Sequence, residues 1–180
     1  GATMVTHACN AMPPLHHREP GLLATALLDQ RVWCGVIADG QHVAPRMLQL
    51  LLSIQPHQLF LVSDALAPLG LPDGLYPWDT RQIQVHQGTA RLPDGTLSGT
   101  TRPLLAGVSN LVKWGCCTPE QAIALAVVAP RRAMGLAGLA IGTPLSSLLR
   151  WTYQDTTRQL DWQRLSLGSG LSPNTRKGRP

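Results

Sequence analysis

The feature that most constrains the fold is a series of short apolar runs, rich in β-branched residues, that alternate with helical patterns. Three runs indicate buried strands with apolar residues on both faces, as a parallel sheet requires: "TMVTH" (3–7), "VWCGVIAD" (32–39) and "LFLVSDA" (59–65). Two intervening patterns indicate helices: "GLLATALLDQ" (21–30) and "APRMLQLLLSI" (44–54). The alternation predicts an α/β fold with consecutive parallel strands.

The spacing of the predicted strands narrows the choice of fold. The strands end near residues 7, 39 and 64, so the repeat is 32 and then 25 residues. A (β/α)8 barrel of about 250 residues averages about 30 residues per unit, so the spacing fits a barrel. A doubly wound sheet fits nearly as well on spacing alone.

Composition argues against several classes of protein. Charged residues make up 14% of the 180 residues and hydrophobic residues 44%, which suits a packed interior rather than disorder. The net charge is +5, but Arg176, Lys177 and Arg179 fall among the last five residues and no basic stripe is present, so we expect no nucleic-acid partner. No apolar run approaches the length of a membrane span. Four cysteines without a CxxC pair indicate a reduced, cytoplasmic protein.

Polar side chains stand where each predicted strand stops. His7 follows the first strand, Asp39 and His42 follow the second, and Ser63 and Asp64 follow the third. In a barrel these strand ends share one face, and that face carries the chemistry. Three consecutive strands ending in titratable groups therefore predict a functional site.

The second half of the chain has more turn signals and predicts hairpins rather than parallel strands. Turn signals surround "IQVHQGTARL" (83–92), which reads as a hairpin around Gln87-Gly88, and "TLSGT" (96–100) reads as a small-residue loop. Residues 148–154 and 160–168 resemble a second hairpin, and 169–180 a disordered tail.

Helices are predicted between these two hairpins. One covers residues 102–115, and a second opens at Thr118, where the order Thr-Pro-Glu-Gln indicates a capping box with proline at the first helical position. The run "PRRAMG" ends a further predicted helix at Gly135.

Five segments together resemble the C-terminal half of the N-acetylglucosamine-6-phosphate deacetylase family, in the amidohydrolase superfamily. They occur in the family's order and spacing over about residues 1–140: "VTHACNAMPPLHHREPG", "GVIADGQHV", "LVSDALAPLGLPDG", "ARLPDGTLSGT" and "APRRAMGL". The resemblance implies the last three strands of a (β/α)8 barrel over 1–138, with a hairpin excursion at about 67–100. It also implies the closing part of a small β-sandwich over 139–168.

The resemblance implies a role for each strand-end residue. His7 corresponds to a metal ligand, Asp64 to the catalytic carboxylate, and His42 to a histidine that contacts the substrate amide. The implied metal is a divalent ion: zinc first, with iron, cobalt or manganese as alternatives. Such an ion lowers the pKa of its bound water to around 7, and the carboxylate takes up and delivers the proton.

Further residues correspond to substrate contacts by the same resemblance. Asn10 and Ala11 match contacts to the sugar phosphate, and Arg18 matches an arginine that reaches the phosphate bound by the neighbouring subunit of a homodimer. A fixed guanidinium suits a phosphate dianion. A substrate-contacting stretch is matched by Leu97, Ser98, Gly99 and Thr100.

The expected reaction is metal-dependent conversion of N-acetylglucosamine 6-phosphate to glucosamine 6-phosphate and acetate. The family's other metal ligands, a glutamate and a histidine, come from earlier strands, so we expect the 180-residue chain alone to be inactive. Two alternatives stay open: a non-catalytic remnant that binds a sugar phosphate, and a related amidohydrolase acting on another N-acyl sugar. His7 as a buried structural histidine and Asp64 as a simple cap are the plainer interpretations of those two residues.

Overall fold

The computed structural model describes residues 1–166, so the predicted tail at 169–180 lies outside the described residues. The helices are α1 Gly21–Leu28, α2 Pro45–Ile54, α3 Leu104–Lys113 and α4 Pro119–Ala133, with a 3-10 turn at Leu145–Ser147. The strands are β1 Met4–Val5, β2 Trp33–Ile37, β3 Leu59–Val62, β4 Gly74–Trp78, β5 Arg81–His86, β6 Thr89–Arg91, β7 Leu97–Thr100, β8 Leu149–Gln154 and β9 Gln159–Arg164.

The first three strands form a parallel sheet in the order β1-β2-β3. Cys34 in the central strand pairs with Val5 on one side and Leu59 on the other. Four consecutive residues of β2 are buried, because helices and loops cover both faces of a parallel sheet. The predicted α/β fold with consecutive parallel strands is confirmed.

One hydrophobic core joins the parallel sheet to the helices. Leu23 of α1, Leu51 of α2 and Leu111 of α3 are almost fully buried with Leu59 of the sheet. Leu160 of β9 enters the same core, and the Ser109 hydroxyl of α3 donates to its carbonyl at 3.3 Å. Each fully buried leucine contributes about 1.5–3 kcal/mol.

An antiparallel sheet in the order β4-β5-β6-β7 follows the third parallel strand. Its β5–β6 turn is Gln87-Gly88, with φ of 49° and 75°, as a two-residue hairpin of the primed type requires. The predicted hairpin is confirmed.

The interpretation of "TLSGT" as a loop was wrong, because four of its residues form β7. The small side chains carry little strand signal, and the strand depends on pairing with β6, where Thr89 lies opposite Thr100. The excursion expected at 67–100 is accordingly a four-stranded sheet.

The interpretation of a separate helix ending at "PRRAMG" was also wrong. α4 is continuous from Pro119 and accommodates Pro130 in its last turn. Gly135 does end it, at φ 66°, as is usual at a helix C-terminus. The Thr118 capping box is confirmed, since the Thr118 hydroxyl accepts from the Gln121 amide and the Gln121 side chain from the Thr118 amide.

The second predicted hairpin is confirmed as β8 paired antiparallel with β9. Among residues 1–166, no helix is long and apolar enough to cross a bilayer. All four cysteines lie in this described range and are free.

Candidate active site

The parallel sheet gathers the predicted site residues at one edge. His7 lies two residues beyond β1, Asp39 two beyond β2 and Asp64 two beyond β3. The strand ends are held in register, because the Ala8 amide donates to the Gly35 carbonyl at 2.7 Å. Three segments that are distant in sequence therefore carry their polar side chains to the same edge.

Three of the predicted site residues have left-handed backbone conformations without being glycine. The φ angles are 29° at His7, 49° at Ala11 and 52° at Asp64. Such conformations cost of order 1–3 kcal/mol each and concentrate at functional sites. The Asn10 side chain supports the turn after β1 by donating to the carbonyls of His7 and Ala8, both at 3.3 Å.

The His7 ring is suited to binding a metal ion. Its Nδ1 is buried and has no hydrogen-bond partner among the described residues. A neutral imidazole nitrogen is a good ligand for zinc and similar ions. Within residues 1–166, however, no group of three or more His, Cys, Asp or Glu side chains could hold an ion. His7 therefore fits a metal as one ligand of a set that needs further donors.

His42 and Asp39 form a buried pair in the loop after β2. The His42 Nδ1 lies 2.7 Å from Asp39 Oδ2, and the two side chains are 5% and 7% exposed. Burial would raise the pKa of Asp39, but hydrogen bonds from the His42 ring and from the amides of His42 and Gln41 outweigh it and lower the pKa. Asp39 is therefore ionised at neutral pH.

Asp64 is exposed and lies directly beside the stretch predicted to contact substrate. The Thr100 amide donates to the Asp64 carbonyl at 3.0 Å, and the Leu66 amide donates to the Thr100 carbonyl at 2.9 Å. A Cβ added at Gly99, which has φ 69°, would lie 2.7 Å from the Asp64 carbonyl oxygen. The end of β3 and strand β7 thus approach so closely that only glycine fits at position 99.

The hydrogen bonds of Arg18 do not connect it to the strand-end edge that carries His7, Asp39 and Asp64. It is exposed, its guanidinium donates to His17 Nε2 at 2.8 Å, and its amide donates to His16 Nδ1 at 3.3 Å. The contact of Arg18 with a neighbouring subunit stays a prediction.

Sequence reasoning missed three residues that shape the site. Asn110 of α3 donates to the Ala38 carbonyl at 2.8 Å, and Trp114 lies against Gly40, where an added Cβ would be 3.1 Å from the ring. Arg102 lines the crevice between the ends of β2 and β3. The contacts of Asn110 and Trp114 join residues about 70 positions apart in the chain, and no local pattern predicts such contacts. Arg102 lies two residues after the "SGT" motif, which was the available signal.

A cavity of about 580 Å³ lies elsewhere, between α2 and α4 near the start of β2 and β3. Trp33, His57, Leu59 and Arg132 are among its lining residues, and none of the predicted site residues lines it. The strand-end edge remains the candidate active site, because it has the strained backbones and the two buried histidine nitrogens that find no partner in the described part of the chain.

Two curated relatives are similar over most of the chain. N-acetylgalactosamine-6-phosphate deacetylase of Escherichia coli O157:H7 is 38% identical over 139 residues, which are 77% of this chain and 37% of that protein. The putative N-acetylgalactosamine-6-phosphate deacetylase of Escherichia coli K12 is 38% identical over 133 residues, 74% of this chain and 80% of that protein. No family model matches the chain.

A solved structure shares the fold. It is a variant of N-acetyl-D-glucosamine-6-phosphate deacetylase from Mycobacterium smegmatis in complex with N-acetyl-D-glucosamine-6-phosphate. The TM-score is 0.74 at 36% identity, over 79% of this chain and 39% of that one. The chain thus spans under two fifths of the Escherichia coli O157:H7 relative and about two fifths of this structure. With these relatives and this shared fold, the chain belongs to the family of N-acetylglucosamine-6-phosphate deacetylases.

Proposed function

We propose that this chain contributes the strand-end part of the active site of a metal-dependent deacetylase that converts N-acetylglucosamine 6-phosphate to glucosamine 6-phosphate and acetate. The observation that supports it most is the buried Nδ1 of His7, which has no hydrogen-bond partner within residues 1–166 and lies at the same sheet edge as the strained Asp64. Relatives that carry deacetylase names are similar to this chain over more than three quarters of its length.

His7 would hold the metal together with donors from outside the described residues. Zinc suits imidazole best among the candidates, with iron, cobalt and manganese as alternatives. Such an ion would supply a more acidic water and a positive charge that stabilises negative charge developing on the amide oxygen.

Asp64 would act as general base and then as general acid. Its carboxylate takes a proton from the attacking water and delivers it to the leaving amine nitrogen, so the amide C–N bond breaks as water adds to the carbonyl carbon. His42 would contact the acetamide group. The φ of 52° at Asp64 is a costly conformation of the kind that concentrates at functional sites, which supports this role.

The remaining predicted residues would hold the sugar phosphate. Asn10 and Ala11 lie on the turn that carries His7, and the stretch Leu97, Ser98, Gly99 and Thr100 is paired beside Asp64. In a homodimer, Arg18 would reach the phosphate bound by the neighbouring subunit, consistent with its exposure.

The finer architecture is also a proposal. The parallel sheet would form the last three strands of a (β/α)8 barrel over 1–138, and 139–168 would complete a small β-sandwich. The β1-β2-β3 order and the β8–β9 hairpin support this arrangement. The free cysteines suit a reducing, cytoplasmic location.

A second candidate substrate is the C4 epimer, N-acetylgalactosamine 6-phosphate. The observation that favours it is the name of the two Escherichia coli relatives at 38% identity. The chemistry at the acetamide is the same for both sugars, so the residues at the strand ends serve either substrate.

Acetate release by a fusion protein tests the proposal. The chain is joined behind the amino-terminal part of the Escherichia coli O157:H7 relative and assayed with both sugar phosphates, with and without a chelator. We expect chelator-sensitive turnover by the fusion and none by the 180-residue chain alone. Turnover by the chain alone would contradict the single-ligand role of His7, and a folded, metal-loaded fusion without activity on either sugar would contradict the deacetylase.

A further inference from the structure

Within the described residues, the hydrogen bonds of the Asp39 carboxylate are all to its own loop. Oδ1 accepts from the backbone amides of Gln41 at 2.8 Å and His42 at 2.9 Å. Oδ2 lies 2.7 Å from the Nδ1 of His42. The three contacts leave neither carboxylate oxygen unsatisfied, and they tie the ring of His42 to the backbone that carries it.

Chemistry decides where the ring proton resides. An ionised carboxylate only accepts hydrogen bonds, so a ring nitrogen 2.7 Å away must carry a hydrogen. A neutral His42 then has its lone pair on Nε2, which is buried and has no hydrogen-bond partner among the residues described. A buried polar atom left without a partner is costly, so Nε2 is available for a donor brought by a ligand.

We propose that Asp39 is a positioning residue, which holds His42 with its hydrogen on Nδ1 so that Nε2 is the atom that meets the substrate. This inference rests on the proposed function, in which His42 contacts the acetamide. As a neutral ring, His42 accepts a hydrogen bond at Nε2; if Nε2 takes a proton, Asp39 is the counter-ion of the resulting imidazolium. In either state the fixed ring avoids reorientation during the reaction.

Helix α3 fixes the same loop from the other side. Asn110 donates to the Ala38 carbonyl directly before Asp39, at 2.8 Å. Gly40 directly after it lies under the Trp114 ring, with φ 82°. The loop is therefore held at the residues on both sides of Asp39, as expected where a side chain must be aimed with little freedom.

The tautomer of His42 is measured by ¹⁵N NMR of the purified 180-residue chain with labelled histidine. Spectra are taken at a pH of about 9, well above the ordinary imidazole pKa of about 6.5, and the His42 signals are identified by their loss in His42→Gln. We expect a hydrogen on Nδ1 and none on Nε2. A hydrogen on Nε2, or the rapidly averaged mixture of free imidazole, would overturn the inference without any variant being needed.

In the Asp39→Asn variant we expect the opposite tautomer of His42. The amide oxygen must stay at the Oδ1 position to accept from the two backbone amides, so the amide NH₂ faces the ring. It donates to Nδ1 and moves the ring hydrogen to Nε2. Asp29→Asn is the matched control, since Asp29 caps a similar turn by accepting from the Arg31 amide at 2.9 Å. An unchanged His42 tautomer in folded Asp39→Asn would count against a positioning role.

The kinetic consequence is measured in the fusion protein. In catalytic triads the wrong histidine tautomer lowers kcat by up to about 10⁴-fold, and we expect about 10²-fold or more for Asp39→Asn with KM changed less than about threefold. Asp29→Asn should match the unaltered fusion. A normal kcat would refute the role, whereas an inactive parent fusion would refute the deacetylase and leave the NMR result standing.

Discussion

The parallel sheet places side chains at the candidate site, whereas the antiparallel sheet places backbone there. After β1, β2 and β3 the chain continues into loops that carry His7, Asp39 and Asp64 at one edge. In the antiparallel sheet, tight turns use the residues between strands, as at Gln87-Gly88. Its contribution is β7, whose Thr100 exchanges backbone hydrogen bonds with the segment at Asp64.

Burial differs between the sheets in the same way. The central parallel strand is buried over four consecutive residues, whereas β5 alternates, with Ile83 and Val85 buried and their neighbours exposed. In a sheet that is covered on both faces, the strand residues are apolar and polar residues are found mainly beyond the strand ends. In a sheet with one solvent-exposed face, polar residues occur along the whole strand. Polar residues at strand ends are therefore more informative about function in the first sheet than in the second.

The largest effect is expected at the end of β3. In the fusion protein, Asp64→Asn should lower kcat by about 10²–10⁴-fold, because asparagine can neither accept nor deliver the proton. Metal content, measured by elemental analysis, should stay near that of the parent. Asp94→Asn, in the β6–β7 turn, is the control and should be close to normal. Equal losses in both variants would remove the functional distinction between the sheets.

Stability should separate the two regions nearly as strongly. Leu51 of α2 is fully buried beside the parallel sheet. The substitution Leu51→Ala should lower the free energy of unfolding by about 2–5 kcal/mol. Leu75 of β4 is 66% exposed, and Leu75→Ala should change stability by less than about 0.5 kcal/mol. Urea unfolding of the chain measures both values, and a larger cost at Leu75 would show that its exposed face is covered in solution.

Arg18 tests whether the loop after β1 serves the phosphate. Arg18→Ala in the fusion should weaken the apparent affinity for the phosphorylated sugar by about 10- to 100-fold, and that for plain N-acetylglucosamine far less. Mixing Arg18→Ala with Asp64→Asn subunits should restore some activity, since each supplies what the other lacks. No recovery despite proven subunit exchange would exclude action across an interface.

The smallest effect tests the junction between the sheets. Gly99→Ala must place a methyl group close to the Asp64 carbonyl at a positive φ, which should destabilise the chain by about 1–2 kcal/mol. Gly95→Ala is the control, with a similar φ of 87° but open space around it, so the difference isolates the contact. Equal costs would show that β7 does not press against the end of β3.

Local patterns carried enough information for some elements and too little for others. The strands ending before His7 and Asp64 were predictable because continuous apolar runs and polar strand ends lie within a few residues. β7 was not, since its small residues become a strand only through pairing with β6. The hydrogen bond from Asn110 to the Ala38 carbonyl joins residues 72 positions apart, so no local sequence pattern predicts it. The roles of the site residues came from the family resemblance rather than from periodicity.

The left-handed backbones at His7, Ala11 and Asp64 also bear on how this protein would change under selection. Glycine adopts such φ angles without a steric penalty, so a library screened only for survival at high temperature should accumulate glycine at positions 7, 11 and 64. Two of the three positions are those to which the proposed chemistry assigns a ligand and a proton carrier. Selection for thermal stability alone would therefore tend to replace the proposed catalytic residues. A selection for stable variants should also require activity.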